Sequence, residues 1–157
     1  MLIKDLIDED IVNYKKTSMF IGFPYCTFKC EKECGIKCCQ NSALALQENI
    51  SVPISVVINR YINNSLTNAI VYGGLEPLDS WVEVQELTQK IREQTTDDIV
   101  IYTGYKEEEI QDKIEWLRQY PNIIIKFGRF VPNNSQHLDP VLGVKLASDN
   151  QYAKKVS

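Results

Sequence analysis

All five cysteines of this 157-residue chain lie between Cys26 and Cys39. A disulfide framework spreads its cysteines to staple distant loops, and five is an odd number. Thiols crowded into one short stretch point instead to a metal or iron–sulfur site. Their spacing narrows the choice. Cys26 and Cys30 form C-x3-C, Cys34 follows at the same interval, and Cys38-Cys39 close the run. Structural zinc sites favour C-x2-C knuckles and four ligands, and ferredoxin clusters favour C-x2-C-x2-C runs with a fourth cysteine. A three-cysteine cluster with one iron left open fits this spacing better than either.

The length fits one domain over residues 1–157. With 44% hydrophobic and 24% charged residues, the balance is that of a globular chain. The net charge of -4 exerts no general pull on nucleic acid or anionic membrane, and neither is expected as a partner. No apolar run approaches the ~20 residues that span a bilayer. The start, MLIKDLIDED, lacks the apolar region of a signal peptide, so a cytoplasmic location is expected.

Periodicity gives a coarse order of elements. Residues 1–17 read as a polar arm or short helix. Met19–Phe23 reads as a strand, and residues 26–52 as a long functional loop. Ile54, Val57, Ile58 and Tyr61 share one helical face, with Pro53 suited to the first turn. Ala69–Tyr72 is a second strand, stopped by Gly73-Gly74. Ser80 with Glu83 resembles a capping box ahead of a helix that buries Val84, Leu87 and Ile91. Ile99–Tyr102 is a third strand. Glu107, Glu108 and Glu109 favour a helix start, and Ile110, Ile114 and Leu117 form that helix's apolar face. Ile123–Ile125 begins a fourth strand, and residues 131–157 read as an irregular C-terminal segment. Alternation of this kind predicts an α/β fold with a mostly parallel sheet. Too few strands are present to close an eight-strand barrel, so a partial, open βα barrel is expected.

In parallel α/β folds, ligands bind at the carboxyl ends of the strands. The four strands here run into Pro24-Tyr25-Cys26, Gly73-Gly74-Leu75-Glu76-Pro77, Thr103-Gly104-Tyr105 and Gly128-Arg129-Phe130. These segments are expected to converge on one composite site.

Those residues resemble the radical S-adenosylmethionine enzymes. That family carries C-x3-C-x2-C after its first strand and G-G-E-P after its second. Here the counterparts are CTFKC, with Cys26 and Cys30, and GGLEP, with Leu75 inserted. Within the family the likeness is to the activating proteins of anaerobic ribonucleotide reductases. IYTGY at 101–105, GRF at 128–130 and LGVKLASDNQ at 142–151 look like their later segments, and the resemblance spans about residues 18–155. It implies a 4Fe–4S cluster and S-adenosylmethionine as cofactors, both at the C-terminal strand ends. It also implies cofactor contacts by Gly73, Gly74, Glu76, Pro77, Thr103, Gly104, Ser148 and Asn150.

The cysteine run departs from the family pattern, because position 33 is Glu33 and not cysteine. The third ligand is then Cys39 or Cys34, with Cys38 a further option. Cys39 is preferred, since Cys39-Gln40-Asn41 reproduces the asparagine the family often carries two residues on. The implied chemistry is reductive cleavage of the sulfonium to methionine and a 5′-deoxyadenosyl radical. That radical takes a hydrogen atom from a glycine of a large anaerobic ribonucleotide reductase or another glycyl-radical protein. The implied electron donor is a flavodoxin or ferredoxin. Two other readings stand beside it: a radical enzyme acting on a small molecule, and a zinc- or cluster-binding interaction module. Lys29 and Lys32 are placed to offset cluster charge. Arg129 suits a carboxylate contact or the surface, and His137 reads as a solvated loop residue.

Overall fold

A computed structural model describes all 157 residues. The strands are β1 (Leu2–Ile3), β2 (Asp5–Asp10), β3 (Ser18–Phe23), β4 (Ile50–Ser51), β5 (Ala69–Gly74), β6 (Asp98–Tyr102), β7 (Ile123–Phe127), β8 (His137–Asp139), β9 (Val144–Leu146) and β10 (Tyr152–Lys155). The helices are α1 (Lys29–Cys34), α2 (Ser42–Ala45), α3 (Ile54–Ile62), α4 (Trp81–Arg92) and α5 (Gln111–Leu117), with 3-10 turns at Pro77–Ser80 and Glu107–Glu109.

Six strands form one sheet in the order β10-β7-β6-β5-β3-β2. The inner four, β3, β5, β6 and β7, are parallel, and the two edge strands pair antiparallel. The sheet stays open and no barrel closes. Helix and sheet alternate because each central strand is apolar on both faces, as parallel strands covered on both sides must be. Alternate residues divide between the faces. Ile70, Tyr72, Ile99, Ile101, Ile123 and Ile125 pack with Val57, Tyr61, Val84, Leu87, Ile91, Ile114 and Leu117 of the helices. Val71, Val100 and Ile124 pack on the opposite face with Tyr14, Leu142 and Leu146. Burying each such side chain is worth about 1.5–3 kcal/mol. No helix is long and apolar enough to cross a membrane.

Four local expectations change. Residues 1–17 are not a helix or free arm: they supply β1 and the edge strand β2. The segment 131–157 is not irregular throughout, since it forms the β8–β9 hairpin and the edge strand β10. The cysteine segment holds α1 and α2 rather than continuous loop. Finally, the Ser80 capping box does not form. The chain is already helical from Pro77, so the cap moves to Glu76, whose carboxylate accepts from the Leu78 N–H, and Ser80 makes no side-chain cap bond.

Candidate functional site

The cysteine segment is tied down at both ends. After β3 the chain turns through Phe28, whose φ of +52° is left-handed, and enters α1. Thr27 N–H donates to Asp79 Oδ2 at 2.8 Å, and Tyr105 O–H holds the other oxygen of Asp79 at 2.6 Å. Cys26 Sγ accepts from the Phe28 N–H at 3.2 Å. Cys30 lies in the first turn of α1 and Cys34 at its end. Gly35, with φ +72°, then folds the chain back so that Cys39 N–H donates to Glu31 Oε1 at 3.1 Å. Asn41 completes the anchorage: its side-chain amide donates to the Gly74 carbonyl at 2.7 Å.

The end of β5 requires its glycine. Gly74 has φ +87°, and a Cβ there would lie 2.7 Å from Gly22 Cα and Phe23 N. Any side chain would meet backbone, so the residue type is fixed by close approach as well as by φ. The turn then delivers Glu76 into the interior. Its Oε1 accepts from Thr103 Oγ1 at 2.8 Å and Leu78 N at 3.1 Å, and its Oε2 accepts from Gly104 N at 2.8 Å. Burial pushes this carboxyl up to about 7, although the three donors oppose the shift.

The end of β7 places Lys126 beside them. Its ammonium is buried and donates to the Gly128 carbonyl at 2.9 Å and the Thr103 carbonyl at 3.5 Å. Burial lowers it to about 8, with Glu76 and Cys30 pulling the other way. Gly128, with φ +97°, bends the chain toward Arg129. Arg129 is buried and grips Glu109 through two bonds of 2.8 and 2.7 Å, while its Nε lies 3.1 Å from Glu33 of α1. Of the two expectations for Arg129, a carboxylate contact or the surface, the structure shows the first, met by Glu109 and Glu33 within the chain.

These strand ends enclose one cavity of about 340 Å³, at the small end of the range for ligand clefts. Cys30, Cys39, Gly73, Gly74, Glu76, Thr103 and Gly104 line it. A Cβ on Gly104 would sit 3.6 Å from Cys30 Sγ, so this backbone and that thiol share a wall. Cys26 does not line the cavity but lies within electrostatic reach of Cys30 and Glu76. Cys34 and Cys38 do not line it; their sulfurs face each other at 2.9 Å. Ser148, Asn150 and Pro77 are not on the wall either. Ser148 Oγ accepts from Val131 N–H at 3.3 Å and Asn150 donates to the Arg129 carbonyl at 2.8 Å, so both brace the wall from behind. His137 belongs to β8 and does not line the cavity, although its register partner Leu146 does.

Lys126 lines the cavity and was not singled out by the sequence; Gln151, which ends the LGVKLASDNQ segment, lines it too. A lysine inside the apolar run IIIKF was the available signal for Lys126. Gln151 Oε1 accepts from the Ala147 and Ser148 N–H groups at 3.1 and 3.2 Å, and its Nε2 donates to the Gly128 carbonyl.

The donor set fits an iron–sulfur cluster. The thiols are free, and two of them face a cavity that glycine backbone walls closely. Burial raises the Cys26 thiol to about 11 and also raises that of Cys39, so binding iron displaces protons from both. No three His, Cys, Asp or Glu side chains gather tightly enough to hold a single ion. A cluster asks for less convergence, since each of its irons takes its own thiolate. No curated protein and no solved structure matches the chain. A family model described as "4Fe-4S single cluster domain" matches residues 16–151, which takes in the cysteine segment and all four strand ends. The chain therefore belongs to the 4Fe-4S single cluster domain family.

Proposed function

We propose that this chain is a radical S-adenosylmethionine enzyme that generates a glycyl radical on a large anaerobic ribonucleotide reductase. The observation that carries the reading is the meeting of the cysteine segment with the GGLEP, TGY and GRF strand ends around one cavity. In this reading Cys26, Cys30 and Cys39 hold the cluster. Cys39 is preferred to Cys34 because it lines the cavity with Cys30. When bound, the cluster and S-adenosylmethionine supply one-electron cleavage of the sulfonium and hydrogen-atom abstraction.

The chain's own residues bind and orient. Gly73 and Gly74 let backbone approach the cofactor without side-chain interference. Glu76 fixes the Thr103–Gly104 turn through its hydrogen bonds. Lys126 keeps a positive charge against the negative thiolates and Glu76. The mouth is not closed by the chain itself: Val12 lines the cavity and is 71% exposed. A protein substrate that covers this rim would exclude water from the site. A flavodoxin or ferredoxin is the proposed electron donor.

The test is an anaerobic assay for 5′-deoxyadenosine on reconstituted protein with S-adenosylmethionine and dithionite. Turnover, and a glycyl-radical electron paramagnetic resonance signal when the reductase is added, are expected. Protein that holds its full iron and sulfide but forms no 5′-deoxyadenosine would refute the reading.

A further inference from the structure

The structure assigns a second role inside the cysteine segment: we propose that Cys34 and Cys38 are a redox-active dithiol, separate from the cluster ligands, that closes reversibly to a disulfide. The assignment of ligands rests on the function proposed above; the pairing of the two sulfurs does not.

Three observations converge. The two sulfurs lie 2.9 Å apart, and neither residue lines the cavity that Cys30 and Cys39 share. Cys34 Sγ also lies 3.3 Å from the Ile36 carbonyl, inside the turn that Gly35 makes. The intervening residues Gly35, Ile36 and Lys37 are exposed, so a disulfide reagent reaches the pair from solvent. Bonding needs the sulfurs to move from 2.9 Å to about 2.05 Å, less than an ångström.

The oxidant class is a low-molecular-weight or protein disulfide. One cysteine thiolate attacks a sulfur of the oxidant, which releases one thiol and leaves a mixed disulfide. The other cysteine thiolate then attacks the protein sulfur of that mixed disulfide and releases the second thiol. Two electrons pass to the oxidant, and the two protons leave on the released thiols. Closure pins the Gly35–Lys37 turn, and with it the chain path that brings Cys39, next to Cys38, to the cavity.

The test uses the full metal-free chain, equilibrated anaerobically in glutathione buffers of increasing glutathione disulfide, then alkylated and mapped by mass spectrometry. Two of the five thiols should be lost together, as a Cys34–Cys38 link, in wild type and not in C34S or C38S. In a second arm, the C34S/C38S double variant is reconstituted with iron and sulfide and should bind as much of both as wild type. Thiols that stay free in fully oxidising buffer, or a link through Cys26, Cys30 or Cys39, would overturn the pairing. Iron loss in the double variant would make the two residues ligands and overturn their separate role. A wild type that takes up no iron would instead refute the cluster reading and leave the mapped link standing.

Discussion

Replacing Glu76 by glutamine tests the electrostatics of the cavity wall. The carboxyl sits near 4.5 in an unfolded chain and is raised to about 7 when buried in the fold. A raised carboxyl means that the folded state binds its proton more tightly. Its contribution to stability is therefore complete below pH 4.5 and is lost as pH rises through 7. At 1.36 kcal/mol per pH unit, the loss is about 3 kcal/mol. Glutamine cannot ionise and shows no such loss. It does bring its own cost: its NH2 group faces the Gly104 N–H where Oε2 accepted, a donor against a donor, worth about 1–3 kcal/mol at every pH. The difference between wild type and E76Q cancels the titration of groups that do not feel the Glu76 charge; Lys126, which Glu76 helps to keep protonated, is the exception near pH 8. That difference should move by about 3 kcal/mol in the variant's favour between pH 4.5 and pH 8. Urea unfolding of both metal-free proteins across that range measures it. A difference that is flat with pH, or that moves toward wild type as pH rises, would refute the claim that burial outweighs the three donors.

Three other perturbations have definite outcomes. Gly74→Ala places a Cβ 2.7 Å from two backbone atoms at a φ of +87°, and should cost at least about 3 kcal/mol by chemical denaturation; a cost under about 1 kcal/mol would mean that the turn is not held as described. Asn41→Ala removes an exposed side-chain hydrogen bond to the Gly74 carbonyl, worth about 1 kcal/mol to the anchoring of the cysteine segment, and should speed proteolysis within residues 35–41 while lowering global stability by no more than that; unchanged proteolysis would mean that this bond does not hold the segment. Arg129→Ala strands Glu109, whose carboxyl Arg129 holds down at about 2. That depressed carboxyl contributes stability above its usual value near 4.5 and loses it as pH falls toward 2, so wild type should lose its advantage over the variant across that acid range in a pH-dependent melt.

The parallel core was legible because its strands are apolar on both faces and its helices repeat at three and four residues. The central strands and the helices α3 and α4 appeared within a residue or two of their positions; the helix expected from Glu107 begins only at Gln111, because Glu107–Glu109 form a separate 3-10 turn that Ile110 breaks from it. The edges were not legible. DLIDED is acidic and poor in strand formers, yet it pairs as β2 because an edge strand turns one side to water and tolerates charge. YAKK at β10 was hidden for the same reason. The capping box at Ser80 failed because Pro77 opened the helical path three residues earlier. Within the site, the glycine-rich strand ends stood out in the sequence, since glycine at such a place has a backbone reason. Lys126 did not, because only the packing of its neighbours decides whether a strand lysine is buried. Ser148 and Asn150 were assigned to the cofactor by their motif. Their side chains bond to Val131 and Arg129, and the Ser148 N–H bonds to Gln151 of the cavity wall, an arrangement that depends on where the C-terminal segment lies on the sheet.

The central claim is a cluster held by Cys26, Cys30 and Cys39 with one iron open to S-adenosylmethionine at the strand-end cavity. The most direct test is electron paramagnetic resonance of the reconstituted, reduced protein with and without S-adenosylmethionine, on samples assayed for iron. About four irons per chain and a cluster spectrum that changes when S-adenosylmethionine is added are the predicted result. A fully loaded cluster whose spectrum is the same with and without it would contradict the account.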